Sequence, residues 1–527
     1  VMAPRAIFIG MPGVGKSAVG KRLAKRLEIP FADSDQLVRK RFGRSIPEII
    51  AKYGESEFRK IEAEVIAEAL KDFSGILSLG GGAVLHRQTQ ELLKGHRVVL
   101  IEAPDEVLIA RLENSPHQRP LIADDIPGGI ARLRATRLEI YRSLATDILI
   151  SDHRPIGFVV DSAYDLLRSA PSIVPVQGDK PYEVTIGSYL YSKLLVQAVQ
   201  YSGILILHAP PLAAQAQELS VALKVCEKEV SLFELPDGEA AKTAQVLEEI
   251  WDFAGQIKLA RDGLIITLGG GATTDLGGFA AATWLRGVAV IHIPTTFLAM
   301  VDAAIGGKTG INSASGKNMI GAFYPPESVY CDLTLLNSLS SEELLAGMGE
   351  AVKCGFIQDR AILELIAEHG KELLHSNHQA LREIVERSVK IKAKVVSQDL
   401  HENGIREVLN YGHTLAHAIE KHENFQMRHG EAVAIGCVFA AALSEAAGIS
   451  QPGFADLHRN AFASLGLPIS YQGASRKQLL AYMSSDKKVR QHKLRFIVLR
   501  AVGDYEVLID PAKELLDFAF NVVGIFE

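Results

Sequence analysis

AIFIGMPGVGKSAVGKRL, Ala6–Leu23, reads as three things in succession. Four residues, AIFI, are apolar and β-prone. A glycine-rich loop follows, and then charged and apolar positions alternate at helical spacing. Within it Gly10-Met-Pro-Gly13-Val-Gly15-Lys16-Ser17 fits GxxxxGK[ST], in the strand–loop–helix context the motif needs. Backbone N–H groups of the loop, with Gly13 and Gly15 in it, and the helix N-terminus are expected to cradle phosphates. Lys16 would reach the β/γ oxygens and Ser17 would hold Mg²⁺. The motif predicts a nucleoside triphosphate and says nothing of the acceptor.

Outward from this loop, short β-rich runs (GILSLGGG, HRVVLIE, DILIS) alternate with amphipathic stretches as far as about Ser169. Such alternation predicts a parallel sheet covered by helices. RSAPSIVPVQGDKPYEV follows, rich in proline, and residues 171–178 read as a linker. A second α/β pattern (EVTIG, GILILHA, VSLFELP, GLIITLGGG, VAVIHIPTT) runs to about Tyr330, and beyond Ser338 the periodicity turns helical. The expected domains are 1–170, 179–335 and 336–527, with a ligand cleft between the last two.

A length of 527 residues suits more than one core. Apolar content of 48% and charged content of 22% are ordinary globular values, which argues against disorder. Net charge is −6, with no lysine/arginine block, so no nucleic-acid partner is expected. Cys226, Cys331, Cys354 and Cys437 form no CxxC and read as reduced thiols. No signal peptide is read ahead of the first strand. The longest apolar run, AVAIGCVFAAAL at Ala432–Leu443, is too short for a membrane span and predicts a buried helix. No membrane partner is expected, and the location expected is cytoplasmic.

The acceptor must be sought in further motifs. Asp33-Ser-Asp35, GRSIPEII from Gly43, GESEFRKIE with Arg59, Gly80-Gly81-Gly82, Arg119-Pro-Leu and Tyr141-Arg142 together resemble the shikimate kinase family over nearly all of residues 5–165. The resemblance implies ATP as co-substrate and shikimate as acceptor. Arg59 and Arg142 would grip the shikimate carboxylate, for which a guanidinium fork is suited. Asp35 would orient or deprotonate the attacking hydroxyl, and Asp33 would support the Mg²⁺ shell. Gly80, Gly81 and Gly82 would let backbone approach the ring. Arg119 would close as part of a lid and stabilise the transferring phosphoryl group, with Arg154 against adenine. A lone arginine is ordinarily a solvated surface charge, but here four charged residues fall together at family positions.

Downstream lie Ile293–Asn312 (IPTTFLAMVDAAIGGKTGIN), Gly316–Phe323 (GKNMIGAF), Ala346–Gly355 (AGMGEAVKCG), Arg406–Glu420 (REVLNYGHTLAHAIE) and Arg428–Gly436 (RHGEAVAIG). From about Tyr182 to the C-terminus the chain is similar to 3-dehydroquinate synthase. That family uses NAD⁺ and a divalent metal, zinc or cobalt, to turn a C7 sugar-acid phosphate, DAHP, into 3-dehydroquinate and phosphate. Spacing alone would pair His413 with His417, i,i+4 on one helix face. The resemblance implies Glu350, His413 and His429 as ligands and His417 as a substrate contact. It implies Glu239, Lys242, Gly270, Gly271, Asp275, Thr295, Thr296, Lys308 and Lys317 along NAD⁺. For DAHP it implies Arg286, Asp302, Lys308, Asn318, Lys353, Lys392, Glu402, Arg406, Asn410, His417 and Lys487. Lys308, Lys353 and His417 are the catalytic candidates among these. So many cations in one cleft would repel one another without an anionic ligand, so a more open substrate-free form is expected.

The fold expected is α/β throughout: a P-loop kinase-like parallel sheet, an α/β dinucleotide-binding domain, and a mostly helical metal-binding domain. The chain would act on small molecules and form a homodimer through its synthase half. A metal- and NAD-dependent polyol dehydrogenase is the alternative for that half, but it would not need the phosphate-binding cations. A non-catalytic scaffold would not need Lys16, Ser17, Asp35, Glu350, His413 and His429 intact.

Overall fold

The computed structural model describes residues 3–114, 125–168, 170–314, 316–375, 379–402, 404–485 and 493–527. Arg119 and Lys487 lie outside them. The chain forms two compact units. One is Val1–Ala170 with Ser188–Ile204 and Gln217–Ser231, and the other is Pro171–Gly187 with Leu205–Ala216 and Leu232–Glu527.

The first unit is built on β1 (Ala6–Ile9), β2 (Phe31–Asp33), β3 (Ile76–Ser78), β4 (Val98–Glu102) and β5 (Asp147–Ile150). Their order is β2-β3-β1-β4-β5 and every adjacent pair is parallel. Helices cover both faces of such a sheet, which is why β1 and β4 are buried at every residue instead of alternating. Parallel strands end on one edge. The loop after β1, Asp33 at the end of β2 and the glycines after β3 are therefore delivered to the same crevice, at the point where strand order reverses.

The second unit carries the sheet β6-β7-β14-β11-β10-β8-β9. These strands are β6 (Ser172–Val176), β7 (Tyr182–Gly187), β8 (Gly203–His208), β9 (Glu229–Glu234), β10 (Leu264–Gly269), β11 (Ala289–Pro294) and β14 (Ser328–Asp332). The linker expected at 171–178 is corrected here, because Ser172–Val176 pairs antiparallel with β7. Pro175 misled the reading. It is tolerated because β6 is an edge strand, with one neighbour to satisfy. A hairpin, β12 (Lys308–Ser313) and β13 (Gly316–Phe323), leaves this sheet before the helical part.

Helices Ser341–Ile357, Gln379–Gln398, His413–His422 and His429–Ala446 dominate the rest. Ala432–Leu443 is buried throughout, as its sequence predicts. Glycines set how closely these helices cross. A Cβ on Gly430 would lie 1.6 Å from the Ala346 carbonyl oxygen, one on Gly349 would lie 2.4 Å from the Gly430 oxygen, and one on Gly436 would lie 2.0 Å from the Gly412 oxygen. The neighbours of these glycines in sequence are Glu350, His429 and His413. Backbone contact at the crossings thus brings three chemically active side chains from three helices to one point.

Candidate active sites

In the first unit the loop after β1 bends through positive φ at Gly10, Gly13 and Gly15 (141°, 89° and 98°). Helix Lys16–Leu27 starts at once, so the N–H groups of its first turn face the crevice. Lys16 Nζ donates to the carbonyls of Gly10 (2.8 Å) and Met11 (3.1 Å), spanning the loop mouth. Ser17 Oγ donates to Asp33 Oδ2 at 2.6 Å, which puts both expected Mg²⁺ groups together.

Beside them Asp35, Arg59 and the triplet Gly80–Gly82 converge. A Cβ on Gly80 would meet Asp35 Oδ1 at 2.5 Å, and one on Gly82 would meet Arg59 Nη2 at 2.1 Å. Burial and the neighbouring Asp33 charge push the Asp35 pKa up. Arg59 Nη1 donates to Glu62 Oε2 at 2.6 Å. Glu62 is 1% exposed, and burial raises its pKa to about 7 against the pull of Arg59.

Arg142 is a correction. It stands on helix Ile126–Leu144 but is paired away from the triplet, donating to Glu102 Oε1 (3.1 Å) and to the Cys226 carbonyl (2.8 Å). The arginine that faces the triplet is Arg137, with Nη1 3.4 Å from where a Gly81 Cβ would be. Five residues at about 100° each leave the two side chains about 140° apart around the helix. Arg137 lies on the buried stripe Ile130, Arg134, Arg137, Leu138, Tyr141. Both Arg59 Nε and Arg137 Nε are buried without a hydrogen-bond partner, as a pocket built for an anion would leave them. Arg154 is half-exposed and holds Asp152 through Nε (2.9 Å).

In the second unit Glu350, His413 and His429 present one donor atom each, all within 4.8 Å of one another. Glu350 Oε1 lies 3.4 Å from His413 Nε2 and 3.2 Å from His429 Nε2. Two ligands at tetrahedral angles, about 2.0–2.1 Å from a zinc ion, are themselves about 3.3 Å apart. The donor set therefore fits such an ion. His417 is outside this set, its ring 5.3 Å from that of His413. Glu350 and Lys353 are each 2% exposed and ion-paired. Against the cost of burial, Lys353 and the two histidines hold the Glu350 carboxyl well below its usual range. Burial likewise opposes charge on His429, yet Glu350 and Glu420 outweigh it and lift that pKa to about 10. A metal at Nε2 has that proton to displace.

Two family models cover this unit, 3-dehydroquinate synthase N-terminal at residues 232–346 and C-terminal at 347–489. A 3-dehydroquinate synthase from Rhodococcus opacus is 46% identical over 354 residues, covering 67% of this chain and 96% of the relative. That of Leifsonia xyli is 49% identical over 352 residues, 66% of this chain and 97% of the relative. The chain belongs to the 3-dehydroquinate synthase family. Residues 12–168 match the shikimate kinase family model, so a shikimate kinase domain is fused ahead of the synthase. Among solved structures, 2-epi-5-epi-valiolone synthase from Streptomyces hygroscopicus with NAD⁺ and Zn²⁺ shares the synthase fold (TM-score 0.60, 24% identity, 65% of this chain and 96% of that one). So does 2-deoxy-scyllo-inosose synthase complexed with carbaglucose-6-phosphate, NAD⁺ and Co²⁺ (TM-score 0.61, 23% identity, 67% and 100%).

The synthase half handles its cationic residues differently from the repulsion expected of them. Each of four lysines has an acceptor of its own. Lys242 holds Asp275 (2.7 Å) and Asn318, Lys308 holds Glu402, Lys353 holds Glu350, and Lys392 holds Asp302. Asn410 donates to the other oxygen of Glu402 (2.7 Å), and Arg406, 2% exposed, donates to the carbonyls of Gly306 (3.3 Å) and Leu400. Lys317 lies 4.0 Å over the Phe425 ring. Arg286 stands exposed on the turn Trp284–Arg286, where it and Leu285 have positive φ.

At the end of β10 the chain passes through Gly269–Gly271 straight into helix Gly271–Thr283. A Cβ on Gly270 would come within 3.1 Å of Thr296 Cγ2, so bare backbone and a helix N-terminus line this edge. Thr295 N–H donates to the Gly269 carbonyl (2.9 Å). Glu239 accepts from Asn312 (2.7 Å), which ties the β12–β13 hairpin to the same edge. The sequence reading missed Arg137, Glu62 and Glu420. Helix phase was the available signal for the first and last, since Glu420 follows His413 by two turns.

Proposed function

We propose that the chain is bifunctional, phosphorylating shikimate with ATP to shikimate 3-phosphate and converting DAHP into 3-dehydroquinate with release of phosphate. In the kinase half, loop N–H groups and Lys16 would hold the β/γ-phosphates, with Ser17 and Asp33 on Mg²⁺. Arg59 and Arg137 would take the shikimate carboxylate on their unpartnered Nε groups, Glu62 bracing Arg59. Asp35, its pKa raised, would accept the proton of the attacking hydroxyl. Arg119 and Arg154 keep the lid and adenine roles that the resemblance implies.

In the synthase half Glu350, His413 and His429 would hold zinc or cobalt. Gly270, Gly271, Asp275, Glu239, Lys242, Thr295 and Thr296 would line NAD⁺. When bound, these groups polarise a substrate hydroxyl and take and return one hydride, so no net redox change results. Lys308, Lys353, Lys392, Arg406, Asn318 and Asn410 would place the carboxylate and phosphate of DAHP, exchanging present acceptors for substrate oxygens. Asp302 and Glu402 would set the rotamers of Lys392 and Lys308.

The meeting of Glu350, His413 and His429, with Lys353 ion-paired to Glu350, carries this reading. The test is orthophosphate release from DAHP without NADH accumulation, run beside ATP-dependent phosphorylation of shikimate. Lys16→Ala should abolish the second and spare the first. Steady NADH production from a simple polyol would overturn the synthase assignment. No helix among the described residues is long and apolar enough to cross a membrane. A cytoplasmic homodimer joined through the synthase half is the assembly we propose, for sedimentation to check.

A further inference from the structure

We infer that Glu420 is a positioning residue for the metal centre, fixing the tautomer and ring orientation of His429. The inference rests on the metal reading of Glu350, His413 and His429. An imidazole that binds a metal through Nε2 must carry its proton on Nδ1, and an acceptor at Nδ1 both selects that tautomer and stops the ring from rotating. His413 has such an acceptor in the Tyr411 carbonyl, 3.1 Å from its Nδ1. His429 stands at the start of its own helix, and there a side chain takes the acceptor's place. Glu420 Oε2 lies 3.3 Å from His429 Nδ1, while Nε2 of the same ring is 3.2 Å from Glu350 Oε1. One face of the imidazole is thereby aimed at the metal position and the other is held.

The placement follows from the sequence. Glu420 is seven residues after His413 on helix His413–His422, so both project from the same stripe. That one helix supplies a ligand directly and supports a second ligand on a neighbouring helix. Glu420 is 7% exposed, and among the described residues its ion-pair partner is His429 alone. A buried carboxylate is costly unless it is bonded, so a surface-charge role does not account for it. A carboxylate acceptor also makes the ligating nitrogen a stronger donor than a peptide carbonyl does.

The experiment uses the full-length protein, with zinc or cobalt(II) alone as the probe. Affinity is measured by competition with a chromophoric chelator, and geometry by the visible d–d spectrum of the cobalt form. Glu420→Asp keeps the charge but withdraws the acceptor by one methylene, whereas Glu420→Gln keeps an acceptor at full reach without the charge. Glu420→Ala and Glu420→Asp should bind metal about 10–100-fold more weakly with an altered cobalt spectrum, and Glu420→Gln should stay within about threefold of the parent. Parent-like affinity and spectrum in Glu420→Asp would overturn the inference, as would Glu420→Gln binding as weakly as Glu420→Asp. If Glu420→Ala does not fold, the Asp and Gln variants decide the matter. His413→Ala in the same assay separates the two claims. If the parent takes up no metal, or His413→Ala binds as the parent does, the metal centre itself is wrong.

Discussion

Gly430→Ala adds a single methyl group next to a proposed ligand, and its effect can be worked out from the crossing. The new Cβ would lie 1.6 Å from the Ala346 carbonyl oxygen, where ordinary contact begins at 3.4 Å. The opposing atom is helix backbone, and on the same side Gly349 already has no room, its own Cβ position being 2.4 Å from the Gly430 oxygen. Helix His429–Ala446 must therefore retreat from helix Ser341–Ile357 by up to about 1.8 Å. Its N-terminal residue is His429, so the separation of 3.2 Å between His429 Nε2 and Glu350 Oε1 would open towards about 5 Å. Two bonds of about 2.1 Å cannot bridge that gap even in a straight line. Overpacking of this kind costs about 1–3 kcal/mol in stability, which a large core absorbs. The expected outcome is a folded protein with a lowered thermal midpoint, intact shikimate phosphorylation, and metal affinity reduced more than about 100-fold. Metal analysis after gel filtration, with chelator competition for the constant, measures it. One equivalent of metal bound at parental affinity would refute the claim that glycine contact at this crossing assembles the site.

Arg137→Ala should weaken shikimate binding at least tenfold by calorimetry with ATP binding little changed, whereas Arg142→Ala should leave shikimate affinity near that of the parent; the reverse order would restore Arg142 to the pocket. Lys353→Met takes the lysine partner from the buried Glu350 carboxylate and leaves it only His413 and His429. In metal-free protein it should therefore lower the stability of the synthase half by less than the roughly 3–5 kcal/mol of a wholly unpaired buried charge, read from denaturant unfolding of that transition. Glu62 gives a pH signature. Its folded pKa of about 7 lies above the usual 4.5, so the folded state holds an extra proton between those values. Stability of the kinase half should then fall as pH rises from about 4.5 to 7, a slope that Glu62→Gln should flatten in thermal melts. Chelation should silence phosphate release from DAHP, and full activity in metal-free protein would remove the ion from the account.

The phosphate loop was legible from its own motif, whose glycines take positive φ, whereas the three metal-site residues came from the resemblance to 3-dehydroquinate synthase, since spacing alone pairs His413 with His417. What could not be read depends on phase or on partners distant in sequence. Choosing Arg137 over Arg142 requires knowing which stripe of helix Ile126–Leu144 is buried, since Arg142 adjoins Tyr141 in sequence while Arg137 lies one helical turn before it. Pro175 reads as a linker residue until the edge position of β6 is known. The lysines read as mutually repulsive because their acceptors, Glu402 for Lys308 and Asp302 for Lys392, come from segments some 90 residues away.

LGGGA occurs twice, at Leu79–Ala83 and Leu268–Ala272, and the pair shows how little a shared string says without its surroundings. None of Gly80–Gly82 or Gly269–Gly271 has a positive φ, so neither triplet is there for a backbone conformation forbidden to other residues. Both are there for space, but the space is claimed by different things. After β3 it is claimed by side chains, Asp35 against Gly80 and Arg59 against Gly82, and the chain goes on into a single turn, Ala83–Leu85. After β10 the crowding comes from the opening turn of a helix and its neighbours, with Thr273 against Gly269 and Thr296 against Gly270. An alanine at position 80 should therefore disturb the Asp35 carboxylate and raise the Michaelis constant for shikimate. An alanine at position 270 needs only a few tenths of an ångström from the Thr296 methyl group, and what it loses is the bare backbone edge that a pyrophosphate would approach. If both substitutions damaged only the thermal midpoint, and neither the affinity for shikimate nor that for NAD⁺, the glycines would be packing devices and the two crevices would not be ligand sites.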